Sequence, residues 1–307
     1  MKTRLFHIAG FSLLFASAYY GVYFFLFNVS VGNKLLIQKM QEEVVIEKDV
    51  FGRTLKEFDR TKKYDVVFLG SSHCYRCFDP MLFQNEGLDS YNLGSSSQTP
   101  LNSYSLLKTL AINTKTILLE VYPVVSGLSG EESFLSMNAS IDDYNLLFQF
   151  AWDLNYLRCY NALSIKPFID NYNKNTPLNI LKSDRGYVET TDSIKKEEEY
   201  DSIILNTEYC EKQIEYIGKI ISHCKEKNVA VFLAYAPIPS ELKIKGENEF
   251  IEAVKILAEK EKVEFYNLGR NHPLNSKLHF FDNDHINKAG VEWFNHKLIE
   301  LMRQKKN

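Results

Sequence analysis

The chain of 307 residues is 45% hydrophobic and 13% aromatic, enough for one large ordered domain plus an extra segment but short for two full domains. Its formal charge of −3 supplies no concentrated basic face and so gives no basis for nucleic-acid binding. The five cysteines (Cys74, Cys77, Cys159, Cys210 and Cys224) are odd in number and scattered, which excludes a disulfide framework.

At the N-terminus Lys2 and Arg4 precede an uncharged stretch, residues 5–28, and the next charge is Lys34. A helix of that length, at about 1.5 Å per residue, exceeds the hydrocarbon core of about 30 Å. The basic residues on the leading side predict a cytoplasmic N-terminus and an extracytoplasmic C-terminal part. Tyr19, Tyr20 and Tyr23 fall towards the far interface. A cleaved signal peptide is the competing reading, because Ala16-Ser17-Ala18 has the small-x-small form. Cleavage there would leave an apolar run, residues 19–27, with no soluble role, so an uncleaved anchor over residues 1–28 is expected.

Residues 29–63 mix charged and apolar side chains and are expected to form a helical stalk. Residues 64–69 (YDVVFL) are a short apolar run ending at Gly70, the pattern of a buried parallel strand. Similar runs lie at 90–93, 116–122, 229–235 and 263–268, with helical patterns at 101–112, 209–227 and 248–262. Strands alternating with helices of these lengths predict βαβ units. The expected fold is a three-layer α/β/α sandwich with a mainly five-stranded parallel sheet, spanning residues 64–307. Residues 126–206 interrupt the alternation; Trp152, Tyr156, Tyr160, Phe168 and Tyr172 lie in this stretch, which is expected to be a helical insertion. The run at 195–201 (KKEEEYD) suits a solvated face.

In open α/β sheets, sites form beyond the carboxyl ends of the strands, and three such ends carry chemistry here. Gly70-Ser71-Ser72-His73 follows the first strand, where a serine is exposed and helix N–H groups can stabilise an oxyanion; it is equally an ordinary turn and cap. Asn92-Leu93-Gly94-Ser95 follows the second, and Gly94 lets a backbone N–H approach a ligand, or is a plain turn glycine. The most specific signal is Phe281-Asp282-Asn283-Asp284-His285-Ile286-Asn287-Lys288-Ala289-Gly290, which enters an amphipathic final helix carrying Val291, Phe294, Leu298 and Leu301. A carboxylate three residues before a histidine can orient the ring and favour its imidazolium.

On these blocks the sequence resembles the SGNH/GDSL hydrolase superfamily, and most closely its membrane-anchored, DltD-like and polysaccharide O-acetyltransferase-related members. VVFLGSSH stands where that family has Gly-Asp-Ser, YNLGSSS where it has its glycine block, and FFDNDHINKAG where it has its final block. The resemblance implies Ser72 as nucleophile, His285 as base and Asp282 as its orienting partner, with the Ser72 and Gly94 N–H groups as oxyanion donors. It further implies acyl transfer or ester hydrolysis on an envelope or secreted glycopolymer, a membrane-bound O-acyltransferase as partner, and no cofactor or metal. The family's third block, Gly-x-Asn-Asp, is missing: the third strand ends Glu120-Val121-Tyr122-Pro123. DltD-like members often lack that block too. His73, Arg76 and Tyr122 are the candidate lining residues.

Three alternatives accompany this reading. Cys74-Tyr75-Arg76-Cys77 has the form of a redox pair at a helix start, although the chain lacks a thioredoxin layout. His279, Asp282, Asp284 and His285 make a set suited to zinc, although a metal hydrolase usually draws ligands from several strand ends, where only Asp79 and Glu120 offer carboxylates. The third is a non-catalytic SGNH-like partner that holds a polymer or assembles a transferase complex, which the missing asparagine motivates.

Overall fold

The computed structural model describes residues 2–32, 34–36, 39, 50–137, 139–150, 184–190, 203–205 and 207–304. The expected insertion aromatics from Trp152 to Tyr172, Cys159 and the 195–201 charge run lie outside them.

Five parallel strands make the central sheet: β1 (Tyr64–Leu69), β2 (Ser90–Asn92), β3 (Thr114–Glu120), β4 (Ala230–Tyr235) and β5 (Glu264–Asn267). Their spatial order is β2-β1-β3-β4-β5. The register pairs Phe68 with Asn92 and with Leu118, Glu120 with Ala234, and Tyr235 with Asn267. The strand order reverses between β1 and β3, the place where ligands bind in doubly wound sheets.

Because side chains alternate along a strand, β1 feeds two cores. Val67 and Leu69 join a cluster with Leu106, Ile217, Phe250 and Val254 from helices on one face. Val66 and Phe68 join a cluster on the other face with Cys74, Phe83, Phe294 and Leu298. Helices therefore cover both faces, and the three-layer sandwich follows.

Of the expected stalk over residues 29–63, residues 33, 37, 38 and 40–49 lie outside the described residues, and the described parts are not one continuous helix. Residues 30–31 and 34–35 form a short antiparallel hairpin. Helix Val50–Glu57 packs onto the domain, with Phe51 and Phe58 buried and Leu55 half-buried against the same core. The i, i+4, i+7 spacing of these three apolar residues gives the segment a face that water disfavours, and the sheet's first core absorbs it. Helix Lys2–Asn28 carries an apolar window, Thr3–Leu26, long enough to cross a membrane. Within residues 126–206 the described parts include helices Glu131–Ser136 and Ile141–Phe150, and strand Ile203–Ile204 paired with Ile244–Lys245.

Candidate active site

The turn after β1 is shaped by close packing. Gly70 has φ +149°, and a Cβ there would lie 2.6 Å from Glu120 Cβ, so only glycine fits between β1 and β3. Ser71 then caps a short helix, Ser72–Cys77, its hydroxyl accepting from the His73 N–H at 3.2 Å. Ser72 is thereby the first residue of the helix, half-buried, and its N–H enters no hydrogen bond among the described residues.

The final loop arrives from the far end of the chain and is tightly self-bonded. Phe281 N–H donates to His285 C=O at 2.8 Å, and Phe280 bridges Ile286. Asp282 Oδ1 accepts from the N–H groups of Asp284 (3.1 Å) and His285 (2.8 Å), an Asx-type turn that fixes the carboxylate beside the ring. Helix Lys288–Gln304 then docks on the Ser72 helix: Asn295 Nδ2 donates to Cys77 C=O at 2.7 Å and its Oδ1 accepts from Asp79 N–H at 3.1 Å.

Across 213 positions of sequence, Ser72 Oγ lies 2.8 Å from His285 Nε2. The other ring nitrogen, Nδ1, lies 2.9 and 3.0 Å from the two Asp282 oxygens. The structure thus brings Ser72, His285 and Asp282 into one hydrogen-bonded line. Burial alone would lower the His285 pKa, but the Asp282 and Asp284 carboxylates outweigh it and push it up to about 9. The proximity of His285 outweighs burial at both acids, holding Asp282 and Asp284 below the ordinary carboxylate range.

The lining residues divide. The Tyr122 hydroxyl donates to Asp284 Oδ2 at 3.1 Å. His73 is fully buried, lies 2.9 Å from the Asp284 C=O through Nε2, and stacks on His285 at 4.5 Å between ring centroids. Burial, then the charge of His285, bring its pKa down to about 4, so it is neutral at pH 7. Arg76 lies one turn beyond Ser72, its guanidinium 5.3 Å from the Tyr75 ring centre and 5.5 Å from that of Phe281.

Gly94 sits against the Ser72 helix so closely that a Cβ would lie 2.8 Å from Cys74 Cβ and 2.9 Å from Tyr75 N. Its N–H, however, donates to Asn92 Oδ1 at 2.9 Å, so an oxyanion would have to share or take that donor. Asn92 is fully occupied: Nδ2 donates to Cys74 and Phe78 carbonyls, and Oδ1 also accepts the Cys74 thiol at 3.3 Å.

The alternatives fare less well. Cys74 and Cys77 are free and buried, and burial followed by the nearby Glu120 raises both thiols well above the ordinary value, which disfavours a reactive thiolate. Of the proposed zinc set, His279 Nδ1 accepts the Asn275 N–H at 2.8 Å. His73, Asp284 and His285 do offer one ligand atom each within 4.8 Å of one another. A cation there would compete with hydrogen bonds that both histidines already make.

Two participants carry no motif in the sequence. Asp284 stands inside the final block, but its spacing to His285 singles it out only for the zinc set. Glu120, read in the sequence only as a strand-end carboxylate, is almost fully buried beneath the turn, its Oε2 accepting from the Ser71 N–H at 2.8 Å; the adjacency of β1 and β3 sets that contact.

No family model and no curated protein matches the chain. Among solved structures it is similar to a GDSL-like lipase from Bacteroides thetaiotaomicron (13% identity, TM-score 0.42, covering 82% of this chain and 98% of that one). It is also similar to an acetyl xylan esterase, AlAXEase (14%, 0.42, 78% and 99%). A third is an acetyl-xylooligosaccharide esterase from Geobacillus stearmophilus (9%, 0.41, 77% and 93%). At such identities and TM-scores the likeness to SGNH/GDSL-type structures assigns no function, and the chemistry has to be read from the site.

Proposed function

We propose that this chain is a membrane-anchored serine esterase or acyltransferase of the SGNH type, acting on acyl groups of an envelope or secreted glycopolymer. The observation that carries the reading is the 2.8 Å contact between Ser72 Oγ and His285 Nε2 at the strand-order switch, with Asp282 on the opposite ring nitrogen. In this mechanism Ser72 Oγ attacks the ester carbonyl while its proton passes to Nε2 of the neutral His285 ring, the form that gains population as pH rises towards about 9. The tetrahedral oxyanion collapses to an acyl-serine, and the leaving alcohol takes the proton from the imidazolium. Water (hydrolysis) or an acceptor hydroxyl (transfer) then attacks, losing its proton to His285 and restoring Ser72. The Ser72 N–H is the ready oxyanion donor, and Gly94 N–H contributes once it turns from Asn92. The sequence resemblance supports a DltD-like role beside a membrane-bound O-acyltransferase.

A second reading, a non-catalytic assembly partner, is favoured by one observation: the Gly94 N–H is already bonded and no asparagine follows β3. One experiment separates them. A fluorophosphonate probe should label the full-length protein at Ser72, and Ser72→Ala should abolish labelling with folding intact. Wild-type protein that stays unlabelled, or a variant that labels equally, would sink the serine mechanism.

A further inference from the structure

Asp282 is not the only carboxylate at His285 Nδ1. Asp284 Oδ1 lies 2.8 Å from the same nitrogen, as close as either Asp282 oxygen, while the ring N–H lines up with Asp282. Asp284 is also anchored independently of that contact. Its Oδ2 accepts the Tyr122 hydroxyl, which comes from the end of β3, and its backbone C=O meets His73 Nε2 from the Ser72 helix. Asp282, by contrast, is held by its own loop. Two acids supported from different parts of the fold therefore converge on one N–H.

Resting on the serine reading above, we infer that Asp284 is a second positioning residue for His285, sharing the imidazolium charge with Asp282 and able to take over the ring N–H when Asp282 is removed. The groups facing His285 are Ser72 and His73 from the helix and the two aspartates from the loop; Tyr122 reaches it only through Asp284 and His73, and Glu120 lies farther off at the β3 end. His285 outweighs burial in holding Asp284 below the ordinary carboxylate range, and the Tyr122 hydroxyl adds to this as the smallest contribution by donating to it. The third-strand Tyr122 thus has a role of its own where the sequence lacks an asparagine: it holds the second acid.

The test uses full-length protein in detergent carrying ¹³C-labelled histidine, with Asp282→Asn, Asp284→Asn and the double variant. Each substitution is near-isosteric. Asp284→Asn keeps an acceptor for the Tyr122 hydroxyl, while the carboxylate oxygen facing His285 Nδ1 becomes an uncharged NH₂ that cannot accept from the ring. Both single variants should lower the His285 imidazole pKa by comparable amounts, and the acid limb of the labelling-rate profile should move to lower pH in each. In labelling rate, each single variant should lose about 30-fold or less, whereas the double variant should lose at least about 10⁴-fold, the loss that a lone triad aspartate causes elsewhere. If Asp282→Asn alone costs about 10⁴-fold and Asp284→Asn leaves the His285 pKa in place, Asp284 is a bystander and the inference falls. The imidazole titration is readable even in a protein that never labels. A failure of the serine mechanism is therefore distinguished from a failure of the two-acid arrangement.

Discussion

A single carboxyl, Glu120, lies under the turn that carries Ser72, with Oε2 bonded to the Ser71 N–H and Oε1 buried without a partner. Burial overrides the Ser71 hydrogen bond and pushes its pKa from 4.5 up to about 7. The sign of the stability effect follows from proton counting. Between these two pH values the folded chain holds a proton that the unfolded chain has released, so stability falls as pH rises. The loss is complete above the folded value and amounts to roughly 3 kcal/mol. Glu120→Gln keeps an acceptor for the Ser71 N–H and cannot ionise. Urea unfolding at pH 4.5 and pH 8 should therefore show the variant gaining roughly 3 kcal/mol on wild type across that interval. His73 and His285 also titrate around this interval, but both chains carry them, so the difference isolates Glu120. An unchanged difference between the two pH values would mean that Glu120 is ionised in the fold throughout.

The elements around Ser72 are tied by side-chain amides more than by sequence neighbours. Asn92, at the end of β2, makes four hydrogen bonds to the Ser72 helix and the Gly94 turn, using all of its polar capacity in the interior. Asn92→Ala would strand buried donors and acceptors that each cost about 1–3 kcal/mol. A loss of about 2–4 kcal/mol in urea, with an unchanged denaturant slope, is the expected outcome. A loss below about 0.5 kcal/mol would show that the turn re-forms its bonds without the amide. Such ties mark the limit of what the sequence reveals. YDVVFL reads as a doubly buried strand because it is apolar on both faces, and Asp282-x-x-His285 reads as an oriented base because the spacing is local. Asn92, Glu120 and Tyr122 give no such signal, since their partners are set by which strand end lies beside which. The packing of helix Val50–Glu57 is hidden for the same reason: its charges suggest a solvated face, and only the sheet supplies the surface that buries Phe51 and Phe58.

At the scale of the whole molecule, the apolar N-terminal helix and the sheet domain meet. Leu26, near the end of that helix, is buried in a third cluster with Leu101, Phe134, Tyr144, Phe150 and Tyr209 from the domain. The helix upstream of it presents Phe11, Leu14 and Phe15 to its surroundings, an apolar surface that water disfavours and lipid accepts. If that helix crosses a membrane, the contact at Leu26 would hold the domain close to the bilayer surface, as the proposed anchor requires. Lys2 and Arg4 on the leading side favour, for the proposed anchor, an N-terminus inside. Protease added to intact spheroplasts should therefore degrade the domain, while the helix stays with the membrane fraction after alkaline extraction. Full protection of the domain would reverse the orientation, and a mature chain beginning at Tyr19 would replace the anchor with a cleaved signal. The contact at Leu26 adds a sharper expectation. Leu26→Asp places a charge in that apolar cluster, and an unpaired buried charge is costly, so the domain should separate from the helix end. Limited proteolysis should then cut the connecting residues faster than in wild type, with fluorophosphonate labelling of Ser72 retained, because the triad draws nothing from that cluster. Equal cutting rates would place Leu26 in lipid instead of against the domain.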